Sequence, residues 1–207
     1  MPKTEAFDLN KERYEAWFDI HKPQYINELN AVRELVPLGG EGLEIGVGTG
    51  RFAVPLEIRY GIDPSATMLE TAREKGIITT LGVAEHLPYD SSRFDFTLMV
   101  TTICFVDDPL HALLEAKKVL KPGGTLIIGF VDKESELGKE YLLHKKDSLF
   151  YREAEFFSVT EIEDFLKDAG FVGFEYRQTI FGKSAEADVR SGFGEGSFVV
   201  VSGKKPV

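Results

Sequence analysis

The sequence predicts an α/β fold: a doubly wound, mostly parallel sheet in a three-layer sandwich, closed by a C-terminal antiparallel hairpin and covered by a helical N-terminal cap. Three observations carry this reading. Between residues 42 and 131 short apolar runs alternate with helical segments, and strands joined through helices become parallel neighbours. The last two β-rich segments, 171–181 and 197–202, have no helix between them, as an antiparallel hairpin requires. The first forty residues carry helical periodicity instead.

Two helices are expected in those forty residues. One runs over 11–20 with aromatic Tyr14, Trp17 and Phe18. A second begins at Pro23, a favourable first helical position, and carries Ile26, Leu29, Val32 and Leu35 to one face before 37–40 ends it. Strands are expected at 42–46, 59–63, 77–83, 94–101 and 125–131. Helices fit at 51–57, 65–75 and 109–120, the last opened by Asp108-Pro109 and stopped by Lys121-Pro122-Gly123-Gly124. Residues 132–157 read as an irregular, aromatic-bearing stretch. Ser158-Val159-Thr160-Glu161 is then a capping box for a helix that stops at Gly170, and a polar, Gly-bearing excursion separates the two closing segments.

With 207 residues and no linker or repeat, a single domain is expected: a cap over 1–40, a core over 42–131, a lid over 132–158 and a closing unit over 159–207. One cysteine excludes an internal disulfide framework, and four scattered histidines give no metal-ligand spacing. The net charge of −10, without clustered Lys or Arg, argues against nucleic acid and against an anionic membrane surface. No apolar run of spanning length and no signal core occur, so a cytoplasmic protein is expected.

The chemistry concentrates in two places. Leu43-Glu44-Ile45-Gly46-Val47-Gly48-Thr49-Gly50 runs a strand into three alternating glycines, where the backbone turns tightly or touches a ligand, and a helix start offers N–H groups to an anion. The dinucleotide pattern needs glycine where Arg51 stands, so a nucleoside ligand without the standard pyrophosphate turn fits better. Nineteen residues after Glu44, Tyr60-Gly61-Ile62-Asp63-Pro64-Ser65 places a carboxylate at the end of the next strand, where it can accept both ribose hydroxyls; Ser65 is available to cap the helix that follows.

With these motifs the chain resembles a class I S-adenosylmethionine-dependent methyltransferase of the small-molecule branch, over about residues 42–175. The resemblance extends through Gly82-Val83-Ala84-Glu85-His86-Leu87-Pro88-Tyr89, Phe94-Asp95-Phe96, the run from Glu115 to Gly124, and Ala169-Gly170-Phe171. It implies a Rossmann-like sheet, S-adenosylmethionine as methyl donor and S-adenosylhomocysteine as product. By the resemblance, Glu44 lies near the donor's amino group, and Gly46, Gly48 and Gly50 line its methionine and ribose. Asp63 holds the ribose with Ser65 and Met68 nearby, Ala84 and Glu85 edge the adenine, and Thr101 opens onto the methyl group. Many relatives carry an acid where Val83 stands, so here adenine recognition falls to backbone or Glu85.

The implied reaction is an in-line displacement of methyl from sulfonium, which alignment in a dry site can accelerate without an obligatory catalytic side chain. No catalytic residue is therefore assigned; His144 is the candidate base. Tyr14, Trp17 and Phe18 either cover the sulfonium with their π faces or pack the first helix on the sheet. Tyr141, His144, Phe150, Tyr151, Phe156 and Phe157 lie where an acceptor lid belongs, and Cys104 reads as a small core residue. After the fourth strand, Thr101-Thr102-Ile103-Cys104 lacks the Asn-Pro-Pro-Tyr tetrapeptide of nucleobase and glutamine methyltransferases, which with the acidic balance favours a small-molecule acceptor over DNA or RNA and leaves a protein acceptor open. Two other readings stay open: a cofactor-binding sensor or partner subunit without turnover, and a nicotinamide-dependent oxidoreductase.

Overall fold

The computed structural model describes residues 3–182 and 188–207. Its first elements are helices α1 (Glu5–Leu9), α2 (Lys11–Ile20) and α3 (Lys22–Arg33), so a short helix precedes the two expected. Alternation follows: strands β1 (Gly42–Ile45) and β2 (Tyr60–Asp63), helix α4 (Ala66–Glu74), strands β3 (Ile78–Leu81) and β4 (Phe94–Val100), helix α5 (Pro109–Val119) and strand β5 (Leu120–Val131). Helix α6 (Glu136–His144), a 3₁₀ turn (Lys145–Asp147) and helix α7 (Val159–Asp168) lead to strands β6 (Val172–Thr179), β7 (Arg190–Ser191) and β8 (Phe198–Lys204). Among the described residues these eight strands form one sheet, ordered β3-β2-β1-β4-β5-β8-β6-β7. The first five are parallel, and β8 runs antiparallel to both β5 and β6. The expected hairpin is therefore present but turned inward: its second strand lies between β5 and β6. It also carries β7, a strand the sequence reading missed, whereas residues 183–187 of the excursion lie outside the described residues.

The period of two in each strand divides the core between the faces of the sheet. Met99, Leu126, Ile128, Val199 and Val201 pack with α5 and α7. Leu98, Val100, Ile127 and Val200 face the other way, against Phe18, Leu29, Val32, Leu69 and Ala72 of α2, α3 and α4. On α3 the buried face is Glu28, Leu29 and Val32, while Ile26, expected there, is exposed.

Three local readings are corrected. Residues 51–57 form successive turns rather than a helix. Pro55 has no N–H for the Arg51 carbonyl, which instead accepts the Tyr25 hydroxyl at 2.5 Å, and Glu57 takes a left-handed φ of 58°. Lys121-Pro122-Gly123-Gly124 does stop α5, yet it belongs to β5. The register jumps from Phe94–Leu120 to Phe96–Thr125, and the bulged residues bond to the chain end through Gly123 N to Lys205 O and Lys205 N to Gly124 O, both 2.9 Å. The stretch expected to be irregular holds α6, whose N-cap Ser135 accepts the Gly138 N–H at 3.0 Å. The capping box at 158–161 forms as read, with Ser158 N donating to Glu161 Oε2 at 2.7 Å and Glu161 N to Ser158 Oγ at 3.3 Å. No described helix is long and apolar enough to cross a membrane.

Candidate active site

Parallel strands β1, β2 and β4 end on the same edge of the sheet, and the loops leaving them meet there. The loop after β1 is drawn onto β2 because Gly46 N and Val47 N both donate to the Ile62 carbonyl, at 2.8 and 3.1 Å. Gly46 has φ 77°, and a Cβ on it would lie 2.2 Å from Thr102 Oγ1, so no side chain fits. Gly48, at φ 51°, donates its N–H to Asp63 Oδ2 at 2.8 Å, while Asp63 Oδ1 accepts from Ser65 N at 2.8 Å. Both carboxylate oxygens are thus aimed by backbone, each with acceptor capacity left over. Burial pushes the Asp63 carboxyl up to about 6, with those two N–H donors pulling the other way. Ser65 caps α4, accepting the Met68 N–H at 3.0 Å, and donates its hydroxyl to Asp8 of α1.

A cavity of about 470 Å³ lies over these loops. Glu44, Gly46, Gly48, Asp63, Ser65, Met68, Ala84, Glu85, Thr101, Tyr14 and Trp17 all line it. Gly50 does not. Its φ of 82° and the N–H it donates to the Val47 carbonyl at 2.8 Å make it a turn residue. His144 ends α6, exposed and not among the residues that line the cavity, so its placement gives no support to a base role. Of the lid aromatics, Tyr141, Phe150 and Tyr151 reach the wall; Phe156 and Phe157 are buried in core clusters, the former beside Cys104.

Glu44 is the most exacting member of the wall. Its carboxylate takes a backbone hydrogen bond from Ala53, but among the described residues Oε2 is buried without a partner, and burial pushes its pKa well above the usual carboxylate range. An unmet acceptor at a cavity wall fits a ligand that brings a donor, best a cationic one. Among the described residues the wall has five acids (Glu28, Glu44, Asp63, Glu85 and Asp107) against two bases. Both bases are already engaged, Arg51 with Glu15 at 2.6 Å and Lys3 with Asp107 at 3.6 Å. The field favours a positively charged guest.

Aromatic rings close the other side. Tyr14 packs edge-on against Phe18 at 5.1 Å, Phe7 at 5.9 Å and Phe150 at 6.1 Å. Burial first, then the charges of Asp63 and Glu44, raise its pKa strongly, so the phenol stays neutral. Trp17 meets Phe18 edge-on at 5.2 Å. Thr101, just past β4, holds φ 52°, an uncommon conformation for a β-branched residue, with its N–H fixed to the Gly129 carbonyl at 2.8 Å. Glu85 Oε1 accepts Asp107 N at 2.7 Å and Asp108 N at 3.3 Å, which ties the loop after β3 to the entrance of α5. Beside it, Val83 and Ala84 offer the cavity an apolar surface.

Several wall residues were not read from the sequence: Lys3, Phe7, Gln24, Glu28, Thr102 and Phe105. For Glu28 a signal existed, since it is an acid one turn from Tyr25 and from Val32 on the buried side of a helix.

These features, a parallel sheet whose β1 loop brings glycine backbone and whose β2 end brings an acid to one cation-favouring cavity, have the form of a nucleoside-binding α/β protein. Comparison with known proteins gives the family. A family model described as "Methyltransferase domain" matches residues 43–128. The crystal structure of a Thermotoga maritima SAM-dependent methyltransferase, described as a possible histamine N-methyltransferase, superposes with a TM-score of 0.94 at 50% identity, covering 97% of this chain and 98% of that one. An uncharacterized Methanocaldococcus jannaschii protein is 43% identical over 97% of this chain and 98% of its own length. An uncharacterized Mycobacterium tuberculosis protein is 38% identical over 83% of this chain, which spans only 61% of that longer relative. The chain belongs to the class I S-adenosylmethionine-dependent methyltransferases, and its methyl donor is S-adenosylmethionine.

Proposed function

We propose that this enzyme methylates a small-molecule acceptor held in the same cavity as the donor, and that the chain works as one unit of cap (1–40), core (42–131), lid (132–158) and closing segment (159–207). The observation that carries the reading is the shared enclosure: Asp63 and Glu44 line a cavity that extends to Tyr141 and Tyr151 of the lid and is bounded by aromatic rings. Bound S-adenosylmethionine supplies a methyl group activated by its sulfonium charge. The chain's own groups fit that guest. Asp63 accepts the ribose hydroxyls, and the unmet Glu44 Oε2 receives the ammonium of the methionine portion. Gly46 and Gly48 let the backbone approach, Ser65 and Met68 back the ribose, and Val83, Ala84 and Glu85 edge the adenine. Tyr14 and Trp17 set π faces near the sulfonium, and Thr101 borders the methyl group.

Charge in the transition state is dispersed rather than created, so alignment and water exclusion are what the protein must provide. The acceptor's lone pair would attack the methyl carbon in line with the C–S bond, the new bond to carbon forming as the thioether leaves with the C–S electron pair. Any proton on the acceptor leaves to a wall carboxylate or to solvent. The test is incubation with methyl-labelled S-adenosylmethionine and fractionated small metabolites. Label recovered in a product below about 1 kDa supports the reading, whereas label found only on protein or nucleic acid from the same extract contradicts it.

A further inference from the structure

The cavity holds one buried acid that donor binding does not use. Glu28 stands on α3 with 6% of its surface exposed and lines the wall beside Gln24 and Tyr141. Its Oε1 accepts from Gln24 Nε2 at 3.2 Å, and Gln24 also hydrogen-bonds Tyr141. Tyr141 stacks on Tyr151 at 5.2 Å, and Tyr151 on Phe105 at 6.0 Å. Helix α3 packs on β5, β8 and β6, so Glu28 sits across β1 and β4 from Asp63, on the lid side of the enclosure.

A carboxylate placed among tyrosines is costly unless a cation meets it. Among the described residues no lysine or arginine pairs with Glu28, and the two basic residues of the wall are engaged elsewhere. A structural role would be filled as well by leucine or glutamine. Burial pushes Glu28 up to about 7, with the Gln24 hydrogen bond opposing, so an arriving cation selects the ionised form. The tyrosine rings add a second attraction for positive charge.

We infer that Glu28, positioned by Gln24 and flanked by Tyr141 and Tyr151, is the anchor of the acceptor subsite and takes the acceptor as a cationic amine. The inference rests on the methyl-transfer reading for what the subsite serves; its binding chemistry can be tested separately. The experiment titrates the protein loaded with S-adenosylhomocysteine at pH 7.5 with 2-phenylethylamine, 2-(imidazol-4-yl)ethylamine and 1,4-diaminobutane, each beside its uncharged alcohol counterpart. At least one amine should bind tenfold or more tightly than its alcohol. Glu28→Gln, nearly isosteric and still able to accept from Gln24, should erase that preference while leaving S-adenosylhomocysteine affinity within about twofold. Equal binding of amines and alcohols, no amine binding, or a preference that survives in Glu28→Gln overturns the inference. Failure of S-adenosylhomocysteine to bind strikes the donor reading instead, and the amine preference is then read on the protein alone by the same criteria.

Discussion

Glu15 of α2 grips the guanidinium of Arg51, Oε2 to Nη2 at 2.6 Å and Oε1 to Nε at 3.2 Å, and so fastens the helical cap to the turn that follows the glycine loop. Thr49 donates its hydroxyl to the same carboxylate, Lys75 approaches it at 3.5 Å, and the guanidinium lies 4.8 Å from the Phe18 ring centroid. Burial acts to raise the Glu15 pKa, but the Thr49 and Arg51 hydrogen bonds outweigh it and hold the carboxyl below its ordinary value. Arg51, the residue that breaks the dinucleotide pattern, thus ties the helix that carries Tyr14 and Trp17 to the turn after the glycine loop.

Arg51→Ala should therefore lower stability by about 1 kcal/mol, a Tm loss of roughly 2–4 °C at this chain length, and weaken donor affinity as α2 loosens. Thermal melts with and without S-adenosylhomocysteine check it; a shift confined to stability would separate the clamp from the site.

Asp63→Ala removes the ribose acceptor and the partner of Gly48 N together. Donor affinity should fall by ~1–3 kcal/mol, read by calorimetric titration. An unchanged affinity would take Asp63 out of the site.

Tyr14→Ala and Trp17→Ala should each reduce donor affinity or turnover while the protein still melts cooperatively. Trp17→Phe, which keeps a π face, should restore most of the loss. If the alanine variants only lower Tm, both rings serve packing alone.

The pH dependence of the ligand-free protein has a definite sign. Asp63 and Glu28 are raised on folding to about 6 and about 7, against ordinary values of 3.8 and 4.5. The stability they contribute is full below those ordinary values and is lost as pH rises through 6 and 7. Tm should fall between about pH 4 and pH 7 and level off above that, with Glu28 responsible for up to about 3 kcal/mol. In Glu28→Gln the upper part of that decline should disappear; a decline identical to wild type would contradict the buried, unpaired state of Glu28.

What the sequence discloses here is what short-range chemistry determines. The capping box at Ser158 and Glu161, the Asp108-Pro109 opening of α5 and the position of Asp63 one crossover from Glu44 depend on neighbours close in the chain, and all are present. The turns at 51–57 were missed because Pro55 outweighs local helical propensity only together with the distant Tyr25 hydroxyl. The insertion of β8 between β5 and β6 is a long-range pairing that leaves no local trace. Glu28 was passed over because an acid on an otherwise apolar face looks like a surface residue until α6 and the 150–151 segment are seen to cover it.

The most direct test of the central claim is calorimetric titration of the wild-type chain with S-adenosylhomocysteine and, separately, NAD. Stoichiometric binding of S-adenosylhomocysteine that Asp63→Ala weakens, with no binding of NAD, is the predicted result. Absence of S-adenosylhomocysteine binding, or equal affinity for NAD, would contradict the account.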